Sequence, residues 1–226
     1  MDGRWPAACL LYLFAGDCLD RPRNSVWRRF FYGVTEAVQT PCDGGMVTLA
    51  SLEKNLLAWT LWELREERAI ELDRVGRDNF FGGEVAENVT VRPLSAVPAS
   101  DGQLARELLT ACTDESVSVP LLITAWGEQK GVDLKEFRYL PLAGLTDVVC
   151  HDVRRRLQVH KHRDDWVWPC DRVERLGSQF EEVAVRWYEF KKQERKLANS
   201  LLRNCNQGLA WVRQPPMRPP SGGYGG

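Results

Sequence analysis

The chain lacks the short motifs that mark the common catalytic sites. It has no G-x-S-x-G elbow, no phosphate-cradling glycine loop and no H-E-x-x-H helix. Its three histidines all fall in one region, at positions 151, 160 and 162. These absences give little support to an enzyme, and we predict a non-enzymatic protein that uses no cofactor.

Paired cysteines and long apolar runs are also missing. The seven cysteines are scattered and odd in number, and no C-x-x-C pair occurs, which indicates reduced thiols in a cytosolic setting. The apolar run at residues 7–16 is far shorter than the roughly 18 residues that a membrane-spanning helix needs. We therefore predict a cytoplasmic protein whose membrane contact, if any, is peripheral.

Charge is scarce overall but unevenly placed. The 226 residues carry a net charge of -1. Residues 1–150 hold 15 Lys and Arg against 22 Asp and Glu, whereas residues 151–226 hold 15 against 9. The two parts are therefore near -7 and +6. Such asymmetry fits a surface that meets an anionic partner, although two halves that neutralise each other would show it as well.

The most informative pattern runs from residue 49 to residue 94. Leucines and tryptophans recur at helical spacing as far as residue 64. Two segments that alternate apolar and polar residues follow, at 69–73 and 88–92, with glycines at 76, 82 and 83 between them. A helix followed by a hairpin is the order of a winged-helix unit.

Further elements are predicted on both sides of this unit. Helices are expected over residues 7–15, 25–39, 103–112 and 145–156, with Ser100 or Asp101 capping the third. Composition predicts a loop at residues 42–45, whereas residues 117–126 fit a strand or a helix. A second hairpin is expected at residues 157–168, and residues 172–202 predict one long helix, with an interruption possible.

These elements define the predicted fold class. It is mostly α, within α+β, with tandem winged-helix-like units, short β-hairpins and a long C-terminal helix. We expect one domain over residues 1–212, with subunits of about 1–97 and 98–212. Residues 213–226 are rich in proline and glycine, which predicts a flexible tail.

The order of the elements over residues 7–112 resembles the Golgi-phosphoprotein family. Members open with a leucine-rich helix that ends in small and acidic residues, and they continue with an L-x-x-x-L-x-E-L helix, an R-x-x-L strand, a second strand, a proline-containing linker and a helix. The similar segments here are Ala8-Cys-Leu-Leu-Tyr-Leu-Phe-Ala-Gly-Asp17, Leu57-Ala-Trp-Thr-Leu-Trp-Glu-Leu64, Arg68-Ala-Ile-Glu-Leu72, Val89-Thr-Val-Arg-Pro93 and Leu104-Ala-Arg-Glu-Leu-Leu109.

The resemblance implies a mostly helical protein that binds phosphatidylinositol 4-phosphate on Golgi membranes, possibly as a trafficking adaptor. In eukaryotic members a tryptophan and several arginines hold the phosphorylated headgroup. The corresponding residues here are Trp27, with Arg28 beside it, and Arg154. The glycine that usually lies between helix and strand is replaced by Glu67 or Arg68.

The densest basic cluster lies on the predicted helix and hairpin of the second unit. Arginine forks bind phosphate in a bidentate manner, so converging arginines could hold an inositol phosphate. The same side chains could contact a nucleic-acid backbone, or they could form a solvated helix end. The acidic first half counts against DNA. The predicted anion-binding residues are Trp27, Arg28, Arg154, Arg155, Arg156 and Lys161, and we expect Arg154 and Arg155 to point to solvent.

Other residues are assigned structural roles. Cys150, His151, His160, His162 and Cys170 are close in sequence but lack the two-residue knuckle of structural zinc sites, so we predict no metal. Glu63, Glu66, Glu67 and Glu71 are interpreted as a solvated charge run. Large aromatics are more often core than ligand platform, and this assigns Trp59, Trp62, Trp126, Trp166, Trp168 and Trp187 to the core. A scaffold that binds another protein through exposed tryptophans is the remaining alternative.

Overall fold

Helices dominate the part of the chain that the structure describes. The computed structural model describes residues 4–19, 37–78, 84–94, 102–112, 115–130, 143–158, 160–162, 165–167 and 170–213. Its helices are α1 (Ala7–Phe14), α2 (Leu49–Glu66), α3 (Gln103–Ala111), α4 (Val119–Gln129), α5 (Ala143–Leu157), α6 (Cys170–Gln193) and α7 (Arg195–Arg213). A short 3-10 helix, Ala15–Asp17, continues α1. None of these described helices is long and apolar enough to cross a membrane.

Short antiparallel sheets accompany the helices. The strands are β1 (Ala37–Gln39), β2 (Met46–Thr48), β3 (Ile70–Asp78), β4 (Glu84–Pro93), β5 (Val117–Ser118), β6 (His160–His162) and β7 (Asp165–Val167). β1 pairs with β2, β6 pairs with β7, and β4 lies between β3 and β5. The sequence α2–β3–β4 and the sequence α5–β6–β7 are the two helix-then-hairpin units, so the predicted mostly helical α+β class is confirmed.

Helix α2 lies at the centre of the fold. It packs against α1, α3, α7 and β3, and nearly every side chain from Leu49 to Leu64 is buried. Its first turn is capped by Thr48, whose hydroxyl oxygen accepts the amide hydrogen of Ser51 at 3.3 Å. A helix that is covered on all sides cannot place charged residues without finding partners for them. This constraint matters for Glu63 below.

Aromatic rings join α2 to α6. Trp187 lies 5.7 Å from Trp59 and 5.5 Å from Trp62 between ring centroids, and Phe180 stacks on Trp59 at 6.1 Å. Such ring pairs contribute beyond the apolar area they bury. The predicted core position is confirmed for Trp59, Trp62, Trp187 and also Trp126, which are all buried. The side chains of Trp166 and Trp168 lie outside the described residues.

The junction between α2 and β3 is a tight turn built without glycine. Arg68 has a φ of 58°, in the left-handed region. The amide of Ala69 donates to the carbonyl of Leu64, and the amide of Arg68 donates to that of Arg65, both at 2.9 Å. These two bonds form a Schellman motif, whose left-handed position is usually occupied by glycine. The glycine missing from the sequence pattern is therefore missing at the one position where its φ is required.

The helix predicted over residues 25–39 is wrong at its C-terminal end, because residues 37–39 form β1. Residues 25–36 lie outside the described chain. The predicted loop at residues 42–45 is confirmed as the turn between β1 and β2. Thr40 accepts no helical continuation there, since its amide donates instead to the carbonyl of Gly45 at 2.9 Å.

Asp43 ties this turn to the end of α1. Its carboxylate accepts the amide hydrogen of Gly16 at 2.7 Å, that of Gly45 at 3.0 Å and the hydroxyl of Thr40. The two glycine backbones cross so closely that a Cβ on Gly45 would lie 2.3 Å from the Cα of Gly16. A side chain on either glycine would therefore push β1–β2 away from α1, and the local sequence folds into strands because this crossing fixes the chain.

The long C-terminal helix is divided in two. The pattern over residues 172–202 predicts one helix with room for an interruption, and the structure has α6 and α7 with Glu194 between them. The carboxylate of Glu194 is paired with Arg65 of α2 at 2.8 Å. The undecided segment at residues 117–126 begins as β5 and continues as α4, which crosses α7 closely at Gly208.

Candidate functional site

The predicted anion-binding residues are only partly within the described chain. Trp27 and Arg28 lie outside it. Lys161 is in β6, opposite Trp166 in the hairpin, but its side chain is outside the described part. Arg154, Arg155 and Arg156 form the last turn of α5. The geometry therefore bears on the three arginines, and they are where the site can be built from contacts.

Asp152 engages two of the three arginines. Its Oδ1 accepts from Nη2 of Arg155 at 2.9 Å and from Nε of Arg156 at 3.2 Å. The side chain of Asp152 is 2% exposed, that of Arg155 is 51% exposed and that of Arg156 is 16% exposed. A buried carboxylate is stable only with charged or hydrogen-bonding partners. The two arginines are thus the counter-ions of Asp152.

The three arginines differ in their surroundings. Arg155 is exposed, as expected, whereas Arg154 and Arg156 are half-buried. The guanidinium of Arg156 lies over the ring of Trp5 at 5.8 Å, a cation–π contact that joins α5 to the segment before α1. The charge of Arg154 acts on Tyr12, where it partly offsets the raised pKa that burial gives the phenol. Arg155 is therefore the arginine of this turn with the most surface open to a ligand.

The second oxygen of Asp152 caps another helix. Oδ2 accepts the amide hydrogen of Gln103, the first residue of α3, at 3.0 Å. The N-cap residue of α3 is Gly102, which supplies no side-chain acceptor. A carboxylate at a helix N-terminus satisfies an otherwise unpaired amide and interacts favourably with the helix dipole. The cap predicted at Ser100 or Asp101, which lie outside the described residues, is thus supplied from α5.

Glu63 has the same role at α1. Its Oε2 accepts the amide hydrogen of Ala7, the first residue of α1, at 2.9 Å, and Pro6 before it provides no side-chain cap. Glu63 is 2% exposed, so its assignment to a solvated charge run is wrong. Burial raises its pKa to about 7, although the bond from Ala7 and the charge of Arg4, 3.9 Å away, act in the opposite direction.

A small cavity lies where these groups meet. It is lined by Glu63, Asp152, Cys9 and Thr60, among others, and its volume of about 10 Å³ has room for about one water molecule. Burial and then the charge of Asp152 raise the pKa of the Cys9 thiol, which donates to Oδ2 of Asp152 at 3.7 Å. A protonated thiol is a poor nucleophile. The cluster is therefore suited to holding helices together rather than to transforming a substrate.

The possible metal ligands are spread over different environments. Cys150 is buried and His151 is exposed, and the side chains of His160, His162 and Cys170 lie outside the described part. Within the described residues, no group of three or more histidine, cysteine or acidic side chains is placed to hold a metal ion. The expectation that these residues bind no metal stays a prediction.

Glu63, Asp152 and Trp5 were missed from the sequence. Glu63 and Asp152 each interrupt an apolar helical stripe, Glu63 beside Trp62 and Leu64, and Asp152 beside Val153. A charged residue in such a stripe is a signal of a buried partner. The partner cannot be named from sequence, because the amides of Ala7 and Gln103 are 56 and 49 residues away.

We expect the stability of the protein to fall as pH rises through neutrality because of Glu63. The folded-state pKa of about 7 is above the ordinary value of 4.5. This contribution is fully present below pH 4.5 and is lost as pH rises through about 7, by up to about 3 kcal/mol. Glu63→Gln keeps an acceptor for Ala7 and should flatten the profile, as measured by urea unfolding at several pH values. Glu128→Gln, at an exposed site, controls for the lost charge. An unchanged slope in Glu63→Gln would refute the assignment.

Variants of the Asp152 cluster should differ in stability in a fixed order. Asp152→Ala removes the shared acceptor of Gln103, Arg155 and Arg156 and should lower the free energy of unfolding by about 3–5 kcal/mol. Arg156→Ala, which also loses the contact with Trp5, should cost about 1–3 kcal/mol. Arg155→Ala should cost less than about 1 kcal/mol, because its partner keeps Arg156. Chemical denaturation measures all three, and equal losses would contradict this account.

Known proteins do not supply an identity for this arrangement. No protein-family model, curated protein or solved structure matches the chain. The similarity to the Golgi-phosphoprotein family accordingly rests on the sequence segments alone. The function has to be argued from the arginines of α5, the carboxylate that holds them and the surface around them.

Proposed function

We propose that the protein is a non-enzymatic, peripheral membrane protein that binds anionic headgroups, phosphatidylinositol 4-phosphate first among them, through the C-terminal turn of α5. The observation that carries the proposal is the state of Arg155. Its side chain is half exposed, and its guanidinium is held at one end by the buried carboxylate of Asp152. The trafficking role and the cytoplasmic location are part of the same proposal.

Preorganisation is the physical argument for Arg155. A guanidinium presents five N–H donors in a rigid fork, and the bond to Asp152 uses one edge of it. An arginine that is already fixed loses less conformational entropy when it binds a phosphate. Asp152 is a single negative charge among three arginines in one helical turn, so the turn keeps an excess of positive charge toward solvent.

Trp5 supports a membrane as the source of the phosphate. It is half-buried and lies against the guanidinium of Arg156. Tryptophan is favoured where a membrane meets water, because one part of the ring is apolar and the N–H is polar. Trp27, Arg28, Arg154 and Lys161 remain proposed participants on the strength of the family resemblance.

Vesicle co-sedimentation tests the proposal. Vesicles of phosphatidylcholine alone, with phosphatidylserine, and with phosphatidylinositol 4-phosphate should pellet the protein in increasing order. Arg155→Ala should weaken binding to the phosphoinositide vesicles about tenfold or more, because a charge-assisted hydrogen bond contributes about 1.5–3 kcal/mol. Arg106→Ala removes an exposed arginine of α3 instead and should bind like the wild type.

Two outcomes would overturn the lipid proposal. The first is a wild-type protein that stays in the supernatant with every vesicle. The second is an Arg155→Ala variant that binds as the wild type does. A protein that ignores vesicles but shifts duplex DNA at low salt, with affinity falling steeply as salt rises, would point to the nucleic-acid alternative.

A further inference from the structure

Strand β3 has an unpaired outer edge among the described strands. It pairs with β4 on one side, and the sheet order is β3–β4–β5. The amide of Leu94 donates to the carbonyl of Ala69 at 2.8 Å, which sets the phase of the ladder. In antiparallel pairing the bonded residues alternate, so residues 71, 73 and 75 direct their backbone groups to β4. Residues 70, 72, 74 and 76 direct theirs to the outer edge.

This edge carries little protection against pairing. Proteins usually blunt an edge strand with a bulge, a proline or a covering element. The β3–β4 bulge lies on the inner strand, where Ala86 and Glu87 both lie opposite Gly76, so β3 itself continues regularly. Val75 is 48% exposed on β3, and a Cβ on Gly76 would meet no atom within 4 Å. The edge is therefore apolar at its centre and open beside it.

The sequence of β3 is self-complementary in an antiparallel arrangement. It reads Asp73, Arg74, Val75, Gly76, Arg77, with opposite charges two residues before and two residues after the valine. We propose that a second copy of this chain pairs with the β3 edge, with the two-fold axis at Val75. Position 75 then lies opposite position 75, and Asp73 of each copy lies opposite position 77, an arginine, of the other.

Charge selects this register over its neighbours. An axis at position 73 would set aspartate opposite aspartate, and an axis at position 74 would set arginine opposite arginine. An axis at position 76 would set Val75 opposite an arginine. Directly opposed like charges destabilise a strand pair, whereas apolar and opposite-charge pairs stabilise it. The axis at Val75 places the two valines in a non-hydrogen-bonded pair, where side chains approach most closely.

The expected dimer is weak and depends on concentration. Residues 72, 74, 76 and 78 of each copy would exchange about eight backbone hydrogen bonds across the axis. A single strand pair is a small interface compared with those of permanent dimers, which bury 2,000 Å² or more as a rule of roughly that size. Association in the range of about micromolar to millimolar is the expectation. The result is one continuous sheet that runs through both copies.

Charge reversal on β3 provides the test by sedimentation equilibrium of the full chain over a range of concentrations. Wild-type protein should dimerise. Asp73→Arg alone and Arg77→Asp alone should each raise the dissociation constant at least tenfold, because each opposes like charges in its own dimer. The double variant should dimerise like the wild type. An equimolar mixture of the two single variants should also associate, since each copy then supplies the charge that the other needs.

The mixture distinguishes a specific register from misfolding, because a variant that failed to fold could not be rescued by the other. Circular dichroism checks that each variant keeps its helices. A wild-type protein that is monomeric throughout the range would overturn the proposal. So would single variants that dimerise as well as the wild type, or a mixture that does not associate. None of these results depends on lipid binding, so failure of the lipid proposal leaves this one testable.

Discussion

Two buried carboxylates hold the helices of this protein in place by accepting the amide hydrogens that begin them. Asp152 of α5 accepts the first amide of α3, and Glu63 of α2 accepts the first amide of α1. Neither α1 nor α3 has a capping side chain of its own. An uncapped helix start that is buried leaves unpaired donors, which is costly in free energy. The packing of α1, α2, α3 and α5 therefore depends on two side chains that reach between helices.

The charge of these carboxylates sets what the surface above them can do. Glu63 is held near neutrality at pH 7 by burial, whereas Asp152 draws Arg155 and Arg156 toward it. Arg156 is thereby anchored on Trp5, and Arg155 keeps half of its side chain in solvent. The same interaction that caps α3 thus positions the arginine on which the proposed headgroup site depends.

The sequence predicts the elements of this fold well where local pattern decides them. Leucine and tryptophan spacing locates α2, and alternation locates β3 and β4, because the periods of helix and strand differ. Local pattern does not predict β1, which depends on a carboxylate, Asp43, and on a close crossing of Gly16 and Gly45 from a distant part of the chain. It also places Glu63 on a solvated face, since its amide partner lies 56 residues away.

The candidate site shows the same division. The basic turn of α5 is visible in the sequence as three consecutive arginines, and their location at a helix end is confirmed. Which of them is exposed could not be predicted, because that follows from Asp152 and from Trp5, a residue 151 positions before Arg156. Burial of a charged residue is a property of the whole packing and is not written in its neighbours.

Proton-resolved NMR of the Ala7 and Gln103 amides tests the capping account most directly. If Glu63 accepts the amide of Ala7, the chemical shift of that amide should change with pH with a midpoint of about 7, together with the carboxyl carbon of Glu63. The amide of Gln103 should respond instead to Asp152→Asn. An Ala7 amide that titrates near 4.5, or that does not titrate between pH 4 and 9, would contradict the claim that Glu63 caps α1.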